Sequence, residues 1–256
     1  MNDFIKEYWE NNAKTYKNSH WVSWGDNFAI ELEIDNISKF INDNDYVLDV
    51  GCANGYASIE QYKRHKIKLT GIDYSEKMIE YANENKKAKR ILGDINFEVG
   101  NILNLRFEES TFNIVYTTRV LINLRNWEEQ IKGIEECIRV TKNGGKIILS
   151  EAFWEPLMLL NTLRIIKGLE PLVEHDFNRY LKKVKIEDYL NKKGLSYQCI
   201  DFSSIYYLGS RFLRELVTDY KEYKGYENPI NKIFFEIEKK YSGGDFGIQQ
   251  AYIIIK

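Results

Sequence analysis

The sequence predicts an α/β fold in which helices cover both faces of a largely parallel, doubly wound sheet. Between residues 46 and 150, short apolar runs typical of buried strands alternate with helical patterns. The first of these strands runs directly into a glycine turn, as a ligand-binding strand end does. No repeat, low-complexity tract or linker interrupts the 256 residues, so 1–256 is expected to form a single domain.

The elements follow from periodicity in chain order. Residues 1–41 should form two N-terminal helices, at 3–17 and 26–41, the second with an apolar face. Strands are expected at 46–50, 67–72, 96–99, 112–116, 146–150, 195–202 and at the C-terminal GIQQAYIIIK, and helices near 55–65, 75–87, 127–140 and 186–193. After Glu151 the alternation breaks, and two insertions, 152–183 and 203–245, are expected beside the ligand-binding edge of the sheet.

Composition excludes several function classes. The 36 basic and 38 acidic residues are interspersed and give a net charge of −2, so nucleic acid is not an expected partner. The three cysteines lack the spacing of a zinc or redox site, so no metal is expected. The N-terminus is charged and no apolar run reaches membrane-spanning length, which predicts a cytoplasmic protein with no membrane partner.

Two acidic residues mark a predicted nucleoside site. In YVLDVGCANG, Asp49 stands just before the first glycine of the turn, where a ligand can approach bare backbone. Asp73 ends the next strand, where its carboxylate can accept two hydrogen bonds from a ribose diol. Both positions lie at the carboxyl edge of the predicted sheet.

The spacing of the glycine turn favours a sulfonium cofactor over a dinucleotide. Nicotinamide enzymes usually show GxGxxG, whereas here the small residues are Gly51, Ala53 and Gly55. Asp49 would repel a pyrophosphate but suits an amino group beside a sulfonium. After the third strand, the Asn101 amide oxygen can accept from an adenine amino group and the Ile102 backbone N–H can donate to the ring.

These motifs resemble the class I S-adenosylmethionine-dependent methyltransferases. VLDVGCANG, GIDYSEKMIEYA, VGNIL, FNIVYTTRVLINL and RVTKNGGKIILSE are similar to five family motifs in the family's order. The resemblance implies a Rossmann-like seven-stranded sheet whose last strand is antiparallel, with S-adenosyl-L-methionine as cofactor and S-adenosyl-L-homocysteine as product. Ala53 stands where many members have glycine, and Asn101 where many have aspartate. Asn101 can still accept a hydrogen bond from the adenine amino group, but that bond is not charge-assisted.

The resemblance also implies a set of cofactor contacts. Gly51, Cys52, Ala53 and Gly55 would pack on the methionine portion, Asp49 would meet its amino group, Asp73 the ribose, Tyr74 and Met78 the adenine face, Asn101 and Ile102 the adenine edge, Thr117 the sulfonium, and Tyr16 would close the site. The alternatives are turn formation or capping for the two aspartates and core packing for Tyr74 and Met78.

A small polar acceptor is expected in the rest of the pocket. Candidate bases for a hydroxyl acceptor are Glu151, at the end of the fifth strand, and His175, in the first insertion. Candidate acceptor-binding residues are Arg119, Asn123, Arg164, Asn178, Arg179, Tyr206, Tyr207 and Arg211. So many guanidinium groups favour an acceptor bearing phosphate or carboxylate, although each arginine could instead pair on the surface.

The predicted reaction is O-methylation of a small polar, anionic metabolite or sugar. SEAFWEPLMLLNTLRIIKGLEPL and related segments resemble a bacterial small-molecule branch associated with surface-sugar (capsule polysaccharide) clusters. The alternatives are N-methylation of a small amine, a nicotinamide-dependent oxidoreductase, and a cofactor-binding protein without activity. A monomer or homodimer is expected.

Overall fold

A seven-stranded sheet organises the protein. The computed structural model describes residues 3–16, 24–217 and 225–256. The strands are β1 (Tyr46–Val50), β2 (Lys68–Asp73), β3 (Ile95–Val99), β4 (Phe112–Thr118), β5 (Thr141–Ala152), β6 (Ser196–Ile200) and β7 (Gln249–Ile255). Their order is β3-β2-β1-β4-β5-β7-β6, and β7 runs antiparallel to both of its neighbours. The predicted Rossmann-like sheet with an antiparallel last strand is confirmed.

Helices pack on both faces of this sheet, as the alternating pattern predicted. They are α1 (Asp3–Tyr16), α2 (Asn27–Ser38), α3 (Tyr56–Arg64), α4 (Glu76–Ala88), α5 (Trp127–Val140), α6 (Trp154–Ile166), α7 (Lys183–Lys192), α8 (Ser204–Leu208), α9 (Arg214–Val217) and α10 (Ile230–Lys240). Side-chain caps fix where several begin: Asp26, Ser75 and Asn126 each accept a backbone N–H from the first turn of the next helix. Within the described ranges, no helix is long and apolar enough to span a membrane.

The central strand is buried on both faces, which is why it reads as a continuous apolar run. Val47, Leu48 and Val50 are each at most 1% exposed. β1 lies between β2 and β4: the chain places β2 and β3 on one side of β1 and then crosses back to place β4 on its other side. Such a switch point opens a crevice at the carboxyl ends of the strands.

The two insertions contribute side chains to this crevice. The first contains α6 and a loop that returns to the sheet where Leu181 pairs with Phe153. The second contains α8, a π-helical turn at Gly209–Leu213, α9 and α10. Residues from both line the cavity described below.

Candidate active site

A cavity of about 520 Å³ lies at the carboxyl ends of β1, β2 and β4. This volume is in the range of pockets that hold a cofactor or drug-sized ligand. We divide the cavity into two halves by the elements that line it and name each half after the ligand that the sequence predicts there. The cofactor half comprises the ends of β1 and β2, the turn after β1, the start of α4 and the loop after β3. The acceptor half comprises α2, the loop after β4 and the two insertions.

The turn after β1 brings bare backbone to the cofactor half. Gly51 has φ +85° and Ala53 has φ +47°, so the chain enters the left-handed region twice within three residues. A Cβ on Gly51 would lie 2.2 Å from a methyl group of Val120, which makes glycine necessary there. The backbone N–H groups of Gly51 and Cys52 both donate to the Ile72 carbonyl and tie the turn to β2.

Asp73 holds the turn after β1 and the start of α4 together. Its carboxylate accepts hydrogen bonds from the backbone N–H of Ala53 and of Ser75, both at 2.9 Å. Burial raises the pKa of this carboxyl to about 6, against the lowering effect of those N–H donors. Its position at the end of β2, on the cavity wall, suits hydrogen bonds to a ribose diol.

Asp49 is the second acid of the cofactor half and is 2% exposed. Its carboxylate accepts hydrogen bonds from the Ser58 hydroxyl at 2.5 Å and the Tyr116 hydroxyl at 2.7 Å. Burial raises its pKa to about 6, partly offset by these two hydroxyls. A nearby ammonium group would favour its charged form.

The acceptor half contains a buried ion pair between Glu33 of α2 and Arg119, which follows β4. Arg119 Nε lies 3.1 Å from Glu33 Oε1 and a terminal nitrogen lies 3.3 Å from Oε2, so the guanidinium holds both carboxylate oxygens. The Trp24 ring stacks on this guanidinium, 4.9 Å from its central carbon. Arg119 has φ +56°, an uncommon backbone conformation for a residue with a side chain.

A second buried pair joins Arg211, in the π-helical turn, to Asp26, the N-cap of α2. The Tyr206 hydroxyl also donates to Asp26, at 2.5 Å. The rings of Tyr207 and Tyr226 lie 4.8 and 4.9 Å from the Arg211 guanidinium. The negative charge of Asp26 and the surrounding tyrosines raise the pKa of Arg211 against the lowering effect of its burial, so the guanidinium stays charged.

Aromatic side chains gather where α1 meets the first insertion. The His175 ring lies 4.3 Å from the Phe177 ring and 5.6 Å from the Tyr8 ring, measured between centroids. Tyr8 also packs on Trp9 and on Phe177. His175 is exposed and lines the cavity, which places it at the mouth.

Comparison with known proteins agrees with this geometry. A family profile described as "Methyltransferase domain" matches residues 41–195, which is more than half of the chain. The chain belongs to this methyltransferase family. It is an enzyme that uses S-adenosyl-L-methionine as methyl donor, as the turn and acids of the cofactor half predicted.

Curated relatives of the methyltransferase carry related names. It is 26% identical over 165 residues to a ubiquinone biosynthesis O-methyltransferase of Coxiella burnetii, covering 63% of this chain and 67% of that protein. It is 28% identical over 112 residues to a 27-O-demethylrifamycin SV methyltransferase of Amycolatopsis mediterranei, covering 44% of this chain and 40% of that one.

One solved structure matches nearly the whole methyltransferase. It is described as "Complex between the Haloferax volcanii Trm112 methyltransferase activator and the putative methyltransferase", and it has a TM-score of 0.59 and 16% identity. The match covers 97% of this chain and 96% of that one. At this identity the match shows the fold alone.

Most of the predicted site residues line the cavity of the methyltransferase. They are Asp49, Gly51, Cys52, Ala53, Asp73, Tyr74, Met78 and Ile102 in the cofactor half, and Arg119, Asn123, His175, Asn178, Tyr207 and Arg211 elsewhere on the wall. Tyr16 ends α1, and its side chain lies outside the described part of the structure.

Three predicted cofactor residues do not line the cavity. Gly55 packs beneath the turn, where a Cβ would lie 2.7 Å from the Phe97 ring. The Asn101 side-chain oxygen faces a local turn instead, where it accepts from the Leu103 N–H at 2.9 Å. Thr117 is fully buried because successive strand residues face opposite sides, and Thr118 lines the cavity in its place.

Glu151 is also absent from the cavity wall, so the expectation that it could act as a base is wrong in this structure. It is fully buried and accepts the Thr117 hydroxyl at 2.7 Å. It also accepts the backbone N–H groups of Val120, Leu121 and Ile122. Glu151 therefore fixes the loop after β4, and burial raises its pKa to about 7 against those donors.

Three predicted acceptor residues also lie off the cavity. Arg164 pairs with Glu215 at 3.0 Å and joins α6 to α9. Arg179 is exposed and donates to the backbone carbonyls of Asp176 and Asn178, and Tyr206 is buried behind the wall with its hydroxyl on Asp26. The polar groups of all three side chains hydrogen-bond within the protein instead of facing the cavity.

Four residues that line the cavity were not predicted from the sequence: Trp24, Glu33, Tyr226 and Gln249. A signal for Glu33 existed. Ile30, Ile34 and Ile37 share one face of α2 with it at helical spacing, and all four residues line the cavity. A glutamate within an apolar stripe marks a polar function on a face that should otherwise be core.

Proposed function

We propose that this methyltransferase transfers the methyl group of S-adenosyl-L-methionine to an oxygen atom of a small polar metabolite. The observation that carries the proposal is one cavity with two chemically different halves, one formed by strand ends and the other by side chains of α2 and the insertions. The names of the two curated relatives support the proposal. One is an O-methyltransferase, and the name of the other gives a 27-O-demethyl compound as its substrate.

The residues of the cofactor half fit the cofactor. Asp73 suits the ribose, Asp49 the amino group, and the backbone of the turn at Gly51 the methionine portion. The bound cofactor supplies the methyl group together with a good leaving group. The protein then has to orient the acceptor in line with the methyl carbon and exclude water. Tyr8, Phe177 and His175 are placed to cover the mouth.

The charge of the acceptor half argues for a hydroxyl-bearing acceptor over a multiply charged one. The sequence favoured a phosphate or carboxylate because of its arginines. Arg119 and Arg211, which do line the cavity, each pair with a buried carboxylate, Glu33 or Asp26. Each guanidinium group therefore already has a carboxylate partner, so an anion gains less from them than from free guanidinium groups.

A matched acceptor panel tests the proposal. The enzyme would be incubated with methyl-labelled S-adenosyl-L-methionine and two series, glucose, glucosamine and glucose 6-phosphate, and benzyl alcohol, benzylamine and benzoate. The expected result is an O-methyl product of a neutral alcohol, found by mass spectrometry. N-methylated product would favour the amine alternative, and product from the anions alone would restore the anionic acceptor.

Two further outcomes would remove the proposal. S-adenosyl-L-homocysteine binding without turnover on any acceptor would favour an inactive cofactor-binding protein. Tight NADH binding without S-adenosyl-L-homocysteine binding would favour an oxidoreductase. A cytoplasmic location, a part in surface-polysaccharide biosynthesis and a monomeric or homodimeric state stay predictions.

A further inference from the structure

Glu33 is the acid that faces the acceptor half of the cavity. Among the described residues, the carboxylates on the cavity wall are Glu33, Asp49 and Asp73. The last two lie at the ends of β1 and β2 in the cofactor half. Glu33 projects from α2, within the apolar face that carries Ile30 and Ile34, and is 2% exposed.

Arg119 orients the Glu33 carboxylate and leaves it able to accept further hydrogen bonds. Each Glu33 oxygen accepts one N–H of the guanidinium, at 3.1 and 3.3 Å. A carboxylate oxygen has capacity for more than one hydrogen bond, so a ligand hydroxyl can also donate to it. Trp24 stacks on Arg119 and restricts the orientation of the pair.

The charged surroundings of Glu33 come from four elements. Arg119 after β4 favours the carboxylate, whereas Asp26 before α2 and Glu151 of β5 disfavour it. Tyr207 of α8 also interacts electrostatically with Glu33. Burial outweighs the effect of Arg119 and raises the pKa of Glu33 to about 7, where a group can both take up and release a proton near neutral pH.

We propose that Glu33 is the general base of the reaction and removes the proton of the acceptor hydroxyl. The inference rests on the proposed function. The acceptor oxygen forms a bond to the methyl carbon, the electron pair of the carbon–sulfur bond goes to sulfur, and the hydroxyl proton passes to a Glu33 oxygen. Glu33 then returns the proton to solvent, with Arg119 holding the carboxylate in position.

His175 is the rival base predicted from the sequence. It also lines the cavity, but it is exposed and its ring packs against Phe177 and Tyr8 at the mouth. In our proposal its ring covers the site and takes no proton. If Glu33 is the base, its substitution should change the pH dependence of the rate. If His175 is the base, substitution of His175 should do so instead.

The test compares Glu33→Gln with His175→Ala and with a matched control, Asp35→Asn. Asp35 is two residues further along α2 on the outer face, where it pairs with Arg64 and Lys239. The probe is the alcohol of the panel that the wild type methylates fastest. All proteins should bind S-adenosyl-L-homocysteine within about twofold of the wild type, which shows that the cofactor half is intact.

The wild-type rate should rise with pH and level off above about pH 7, the pKa of the Glu33 carboxyl. Glu33→Gln should lower kcat by about 100-fold or more and remove this dependence, as loss of a general base does. Asp35→Asn and His175→Ala should retain the pH dependence of the wild-type rate. A rate for Glu33→Gln within threefold of Asp35→Asn, or loss of the dependence in His175→Ala, would overturn the proposal.

A measurement without turnover separates this proposal from the proposed function. The melting temperature of Glu33→Gln relative to the wild type should rise between pH 5 and pH 8, because only the wild type has to ionise a buried carboxyl there. If no panel compound is methylated, the O-methylation proposal fails for these acceptors. A melting-temperature difference that rises with pH would still show that Glu33 ionises in this range. A constant difference would overturn the role of Glu33, as would methylation of the anions alone at a phosphate or carboxylate oxygen, which needs no base.

Discussion

The two halves of the cavity are built in different ways. The cofactor half consists of strand ends and a turn whose shape comes from backbone conformation, with φ +85° at Gly51 and the Asp73 carboxylate on two backbone N–H groups. The acceptor half consists of side chains from distant segments, joined by the buried pairs Glu33–Arg119 and Asp26–Arg211. The first half needs particular residues at close spacing, whereas the second needs partners separated by 86 and 185 positions.

This difference predicts how each half should respond to mutation. Changes in the acceptor half should cost stability through uncompensated charge and leave cofactor affinity intact. Changes in the cofactor half should alter the turn or the ribose contact and so change cofactor affinity.

The largest effect on stability is expected from Arg211→Met. It leaves Asp26 buried without its cation, and breaking a buried ion pair costs about 3–5 kcal/mol. Arg64→Met removes a partly exposed pair with Asp35 and should cost about 0–1 kcal/mol. Urea unfolding measures both. Equal effects would show that the Asp26–Arg211 pair does not stabilise the acceptor half.

Gly51→Ala should be the next most harmful change, this time in the cofactor half. Its Cβ would lie 2.2 Å from Val120 at φ +85°, and left-handed backbone together with crowding costs about 2–5 kcal/mol. Gly168→Ala is the control because its φ is +70° with no atom within 4 Å. The difference in unfolding free energy between the two variants isolates the crowding. No difference would mean that the turn can move away from Val120.

The pH dependence of stability tests the acceptor half again. The pKa of Glu33 is raised from 4.5 to about 7 in the folded protein, so its stabilising contribution is full below pH 4.5 and is lost as pH rises through 7. The free energy of unfolding of the wild type, relative to Glu33→Gln, should therefore fall by about 3 kcal/mol between pH 4.5 and pH 8. An unchanged or rising difference would show that Arg119 outweighs burial.

The sequence predicted the fold and most of the cofactor half because both depend on local pattern. Alternating apolar runs specify the strands, and Asp49, Gly51 and Asp73 stand at fixed distances from strand ends. Thr117 was wrong by one position, because neighbouring strand residues face opposite sides of the sheet. Asn101 satisfied a local turn instead of the cavity.

The acceptor half was harder to predict, because the sequence does not show which group each arginine side chain pairs with. Arg164, Arg179 and Arg211 look alike in the sequence, yet only Arg211 lines the cavity. Glu33 could have been found as a charge in the apolar face of α2. Its partner Arg119 could not have been assigned, since the pairing depends on how α2 packs beside the end of β4.

The division of the cavity into two halves is tested most directly by calorimetric titration with S-adenosyl-L-homocysteine. Asp73→Ala should weaken binding by about 1–3 kcal/mol through lost hydrogen bonds to the ribose. Arg211→Met, titrated under conditions where it remains folded, should bind as the wild type does. Unchanged affinity in Asp73→Ala, or an equal loss in Arg211→Met, would contradict the assignment of the strand ends to the cofactor.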